Sequence, residues 1–112
     1  MSYHVEFTDV ADMEAENILL WIMGRTPERA QRWQDGLEKA VQSLEDFPGR
    51  CAVVSELSTP DRQVRQLLYG AYRLLFILLD TNGDGDLDTA RILHMRHGAQ
   101  KPIMQPEPEE SG

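Results

Sequence analysis

Apolar and polar positions alternate from Tyr3 to Phe7, so Tyr3, Val5 and Phe7 share one side of a predicted first strand. Thr8-Asp9 then supplies a helix start, with acids in the first turn at Asp9 and Asp12. From Val10 to about Gly24 the period becomes helical, with a stripe at Val10, Met13, Ile18, Trp21 and Ile22 widened by Leu19, Leu20 and Met23. Thr26-Pro27 opens a second helix, since threonine suits an N-cap and proline the first helical position. There Ala30, Trp33, Leu37, Val41 and Leu44 recur at helical spacing, Phe47 continues the series, and Pro48-Gly49 ends it. Gly24-Arg25 and the cap alone separate the two helices, which predicts an antiparallel hairpin.

Residues 48–61 read as a loop with a short extended piece at Cys51 to Val54. Asp61 to Tyr69, with Val64, Leu67 and Leu68, reads as a strand, and Gly70-Ala71 as a tight turn. Tyr72 to Leu79 is apolar on both sides. Tyr72, Leu74, Phe76 and Leu78 point one way, Leu75, Ile77 and Leu79 the other. Such a strand is central, or its second side is covered. After a polar turn region at Thr81 to Asp88, Thr89 to His97 forms a last strand. Simple alternation puts Leu93 and Met95 on one side and Ile92, His94 and Arg96 on the other.

The order is β-α-α-β-β-β: an N-terminal strand, an antiparallel helix hairpin and a three-stranded antiparallel meander. This is an α+β, two-layer arrangement with both helices on one side of the sheet. The second side is expected to be open and to carry function. Residues 1–102 are expected to form the domain and 103–112 an acidic, disordered tail.

Length and charge narrow the function classes. A chain of 112 residues is one domain, too short for a doubly wound nucleotide-binding domain with a second domain. The most apolar run, Leu74 to Leu79, is far below the roughly 20 residues of a spanning helix, and Met1 to Glu6 shows no secretory pattern. Cys51 is the lone cysteine, so no internal disulfide and no thiolate metal cluster can form. It is read as a small, partly buried residue in a protein of the reducing cytoplasm. The net charge is −8, and Asp80, Asp84, Asp86, Asp88, Glu107, Glu109 and Glu110 dominate it. Without those seven, twelve of the nineteen acids face eleven bases. Direct nucleic-acid binding therefore has no long-range attraction behind it and would need a local basic patch.

The acidic stretch can be read in two ways. Asp80, Asn82 and Asp84 fall at positions 1, 3 and 5 of a calcium loop, Gly85 at 6, the Asp86 carbonyl at 7, Leu87 at 8 and Asp88 at 9. Position 12 is Arg91, where a bidentate glutamate belongs, and the flanks read as strands rather than helices. The favoured reading is a hairpin loop built from Asn-Gly and Asp-Gly turn formers, leaving a weak calcium candidate at Asp80, Asn82, Asp84, Asp86 and Asp88. No cofactor is expected.

The ordered set of local pieces resembles the RelE/ParE superfamily of bacterial toxins, and most closely its ParE-like, plasmid-stabilisation branch. The pieces are Val5-Glu6-Phe7-Thr8 before an acidic helix, Trp33 to Leu37 running through Ser43-Leu44-Glu45-Asp46-Phe47-Pro48, and Glu56-Leu57 before Val64-Arg65-Gln66-Leu67. Gly70-Ala71-Tyr72-Arg73-Leu74-Leu75-Phe76 and Ile92-Leu93-His94-Met95-Arg96-His97-Gly98 complete the set. Gln100 stands where many relatives carry an arginine, and the Asp80–Asp88 loop is longer and more acidic than the usual turn.

The resemblance implies the toxin of a type II toxin–antitoxin system, cytoplasmic, acting by binding a protein target such as DNA gyrase and neutralised by a cognate antitoxin. A homodimer is a further possibility. The binding surface would comprise Arg65, Arg73, Leu75, Ile77, His94 and Arg96. The alternative is a RelE-like ribosome-dependent messenger-RNA endoribonuclease. That chemistry needs a base, an acid and positive charge at the phosphorane, with Arg65, Arg73, Arg96 and His97 as its candidates and Arg91, His94 and Lys101 nearby in sequence. A second alternative is a non-toxic binding module with weak calcium binding at 80–91. Arg25, Arg29 and Arg32 are read as ordinary helix-surface arginines.

Overall fold

A computed structural model describes residues 2–98. Its strands are β1 (His4–Phe7), β2 (Ala52–Val53), β3 (Arg65–Tyr69), β4 (Tyr72–Leu79) and β5 (Thr89–His97), and its helices α1 (Asp9–Arg25) and α2 (Pro27–Gln42). The single sheet runs β1-β5-β4-β3-β2. β3, β4 and β5 form the antiparallel meander that the sequence predicts, and β2 adds a two-residue antiparallel rung to β3. β1 lies parallel to β5, so the sheet is mixed. A parallel pair needs a long crossover, and here the helix hairpin and the meander together supply it. The α+β, two-layer β-α-α-β-β-β arrangement stands.

Local chemistry accounts for the helix ends. The Thr8 hydroxyl accepts from the Ala11 N–H at 3.1 Å, capping α1, and donates to the Leu93 carbonyl at 3.2 Å, tying the cap to β5. Thr26 closes α1 with its own N–H, donated to the Ile22 carbonyl at 2.7 Å, and it is the single residue between the helices. Its side chain makes no capping bond to α2, contrary to expectation, while Pro27 does occupy the first helical position. Residues from Trp21 to Arg25 line one cavity with residues from Arg29 to Trp33, and residues from Asp12 to Leu19 line another with residues from Trp33 to Glu38, so the hairpin is antiparallel.

The main core lies between helices and sheet. Ala11, Leu37 and Leu44 meet Leu74, Phe76, Ala90, Ile92 and Met95, with Trp33 and Val41 packed alongside. The α2 stripe is thus as predicted up to Leu44. Phe47 is exposed, however, and Pro48 is buried in its place. A 3₁₀ turn at Ser43–Glu45 explains this: it advances faster per residue than an α-helix and rotates Phe47 off the buried line. On α1 the predicted stripe is rotated. The line facing the sheet is Ala11, Glu14, Ala15, Ile18 and Ile22, whereas Val10, Met13, Leu20 and Trp21 are exposed.

Two further expectations are corrected on the sheet. A bulge in the β4–β5 pairing, between Leu75 and Phe76, leaves Leu93 as the extra residue of β5. Ile92 and Met95 therefore both face the helices, and Leu93 turns to the other side. The second side is also not an open apolar surface at Leu75 and Ile77, which are 1% and 8% exposed. Val54, Leu57 and Val64, from the connection between β2 and β3, cover them. Ser58 pins that cover, donating to the Val54 carbonyl at 2.8 Å and accepting from the Val64 N–H at 2.9 Å. Each fully buried aliphatic side chain is worth about 1.5–3 kcal/mol, which favours covering them from within the chain. The expected acidic tail and Lys101 lie outside the described residues.

Candidate functional site

Strand register decides which of the predicted site residues can meet. Arg73 pairs directly across from Arg96, so both stand on the second side of the sheet. Arg65 pairs with Phe76, a core residue beneath the helices, and so stands on the opposite side. Its guanidinium donates to the carbonyls of Cys51 at 2.7 Å and Gly49 at 3.1 Å, fastening the loop that leads into β2. His97 pairs with Tyr72 on the helix side, with ring centroids 5.4 Å apart in an edge-to-face contact. The four residues named for ribonuclease chemistry are thus divided between the two sides of the sheet. Of the six named for partner binding, Arg73, His94 and Arg96 gather at one end of the second side, Leu75 and Ile77 are covered, and Arg65 is a loop anchor.

A residue that the sequence pattern did not single out organises this end. β1 stops opposite Ile92, so β5 has a free edge beyond it. Glu14 fills the gap: its carboxylate accepts the Met95 N–H at 2.9 Å, and lies 3.3 Å from His94 Nδ1 and 3.4 Å from Arg96 Nε. The Gln66 side chain accepts from Arg73 at 3.1 Å. Two like charges opposite each other in a sheet repel, and these acceptors hold Arg73 and Arg96 in place despite that. The sequence carried no signal for it, because Glu14 falls on the line of Ala11, Ala15 and Ile18, which is less apolar than the exposed one.

Aromatic rings continue the surface around the end of the sheet. Trp33 meets Tyr69 at 5.9 Å and Tyr72 at 5.8 Å between centroids. The Tyr69 hydroxyl donates to the Trp33 carbonyl at 2.6 Å, and burial pushes its pKa up, aided by Asp35. Trp21, with Arg25 stacked 4.9 Å over its ring, forms the outer wall. Together with Arg29 and Arg32 these rings line a cleft of about 590 Å³. A smaller cavity, lined by Asn17, Trp21, Tyr72, Arg96 and His97, joins this region to the arginines of the sheet. Beside it runs the outward face of α1, where Val10, Met13, Leu20 and Trp21 are 47% to 58% exposed.

The acidic loop satisfies itself. The Asp80 carboxylate accepts the N–H groups of Gly83 and Gly85, both at 2.8 Å, and Gly83 and Gly85 have positive φ, as such turns require. Asp88 accepts from the hydroxyls of Thr81 and Thr89, at 2.7 and 2.6 Å, and these bonds hold its pKa below the usual carboxylate value. Turned nitrogen-inward, the Asn82 amide donates to Asp80, Asp84 and Asp88 at 3.1–3.2 Å. Among the described residues no group of histidine, cysteine and carboxylate side chains is placed to hold a metal ion. Cys51 is buried, and desolvation raises its pKa, which keeps the thiol protonated.

These elements define a small α+β domain whose chemistry-bearing groups line an exposed apolar, aromatic and cationic surface. A family model for the ParE toxin of type II toxin–antitoxin systems, parDE, matches residues 5–102, and the chain belongs to that family. A toxin of such a system implies an antitoxin as its partner. No match was found among curated proteins. Among the described residues no helix is long and apolar enough to cross a membrane.

Proposed function

We propose that this protein is a cytoplasmic ParE-like toxin that acts by occupying a protein surface, with DNA gyrase as the target, and that its cognate antitoxin neutralises it by covering the same surface. The observation that carries this reading is the outward face of α1. A helix that is apolar on both sides is normally buried on both, yet Val10, Met13, Leu20 and Trp21 stand open on one of them. The cavity that Trp21 and Arg96 both line connects that face to Arg96, and we assign Arg96, its cross-strand partner Arg73 and His94 to the same contact. The division of Arg65 and His97 from Arg73 and Arg96 favours binding over ribonuclease chemistry.

A supercoiling assay with purified gyrase tests the reading. Inhibition that grows with protein concentration, and that disappears when antitoxin is added, is expected. Full gyrase activity together with translation-dependent messenger-RNA cleavage, lost in Arg96→Ala, would replace this reading with the enzymatic one.

A further inference from the structure

The cleft at the end of the helix hairpin is lined by three arginines. Arg25 ends α1, and Arg29 and Arg32 lie in the first turns of α2. Among the described residues none of the three is in an ion pair, and no acid lines the cleft. The first turn of α2 adds to the positive field, because Thr26 leaves its N–H groups without a side-chain cap. Trp21, Trp33 and Tyr72 supply flat apolar walls. Such a site suits an extended segment that carries carboxylates and prolines, since proline-rich strands dock on tryptophan- and tyrosine-lined grooves.

The chain itself delivers a segment of that composition to the rim. The Gly98 N–H donates to the Ala71 carbonyl at 2.6 Å, and Ala71 lines the cleft. Beyond Gly98 the chain runs Ala99-Gln100-Lys101-Pro102-Ile103-Met104-Gln105-Pro106-Glu107-Pro108-Glu109-Glu110-Ser111-Gly112, which offers three prolines and three glutamates. At up to ~3.5 Å per residue, the stretch from Gly98 to Glu107 reaches roughly 30 Å. α1, at ~1.5 Å per residue, is about 25 Å long. Distance therefore does not keep the glutamates from any of the three arginines.

We propose that residues 102–110 of this chain fold back into the cleft, with Pro106 and Pro108 against Trp21, Trp33 and Tyr72, and with Glu107, Glu109 and Glu110 on Arg25, Arg29 and Arg32. A tether this short sets a local concentration in the millimolar range, so contacts that are weak one by one become populated. The occupied cleft neutralises the cationic end of the hairpin and shields Trp21. The proposal holds whatever the toxin's target, because it concerns two parts of one chain.

The test uses the full chain and compares it with E107Q/E109Q/E110Q by NMR, reading the two tryptophan indole N–H signals and the amides of Arg25, Arg29, Arg32 and Ala71. At about 50 mM NaCl the two proteins are expected to differ at these positions, and the difference should vanish near 500 mM, where screening is strong. R29E/R32E, altered at two exposed positions, should make the tail substitutions silent. Identical spectra at low salt would overturn the proposal. A difference that appears only as protein concentration rises would also overturn it, by assigning the cleft to the tail of a second copy.

Discussion

The two helices solve opposite problems. α2 is polar on one face and apolar on the other, and its apolar line of Ala30, Leu37 and then Leu44 is buried. α1 is apolar on every side from Ile18 to Met23, yet of its 17 residues Ala11 alone is fully buried. It meets the sheet with two alanines, two isoleucines and one carboxylate, and turns Met13, Leu20 and Trp21 outward. In α2 the hydrophobic pattern serves the fold. In α1 much of it is surplus to the fold, and that exposed apolar surface is what the proposed contact would use.

The widest separation between the two should appear in core truncation. Leu44→Ala removes a side chain with no exposure at the end of the α2 line, and is expected to cost about 2–5 kcal/mol in urea unfolding. A loss under 1 kcal/mol would mean that α2 is not the element anchoring the core. Next comes the one place where α1 is integral to the sheet. Glu14→Ala strands the Met95 N–H and removes the carboxylate beside His94 and Arg96, with an expected cost of about 1–3 kcal/mol. If the free edge of β5 is as dependent on Glu14 as the geometry indicates, the Met95 amide should also lose protection from hydrogen exchange. A smaller effect attaches to Gly36 inside α2. Alanine would gain about 1 kcal/mol of helix propensity there, but its methyl group would collide with the Tyr69 hydroxyl, which its bond to the Trp33 carbonyl holds in place. The expected result is a net loss of about 1 kcal/mol once overpacking is included, recovered when Tyr69→Phe is added and the ring can move.

The same contrast explains what could be read from the chain in advance. Helix α2 rests on a strong period, because one face is plainly different from the other, and β4 on an unbroken apolar run that the turn at Gly70-Ala71 and the polar stretch after Leu79 bound. The orientation of α1 was illegible for the opposite reason: with large apolar residues on both faces, the stripe through Val10, Met13 and Trp21 looks more convincing than the line of Ala11, Ala15 and Ile18 that is buried. Ile92 and Leu93 were each put on the wrong side, relative to His94 and Arg96, because alternation cannot foresee a bulge. The cover over Leu75 and Ile77 comes from a non-periodic segment, so Val54, Leu57 and Val64 carried no signal of which surface they would meet. Of the candidate residues named from the sequence, Arg73, His94 and Arg96 lie together in the fold, but their division from Arg65 and His97 depends on strand register and could not be read. The arginines of the helix hairpin looked like ordinary surface charge until the turn at Gly70 placed two tyrosines beside them.

The finest test of the contrast is a change that leaves the fold alone. Met13→Ser and Leu20→Ser both lie on the outward face of α1, more than half exposed. Neither side chain belongs to either core cluster, so the double variant should unfold within about 0.5 kcal/mol of the parent. A few central residues carry most of an interface's energy, at more than about 1 kcal/mol each; with Met13 and Leu20 among them, the same variant should bind gyrase or the antitoxin at least about tenfold more weakly, the factor that 1.4 kcal/mol represents. Titration by calorimetry beside a urea curve separates the two readouts. Equal loss in both would show that the outward residues support the fold after all. Unchanged binding at unchanged stability would move the contact off α1 and onto the arginines of the sheet.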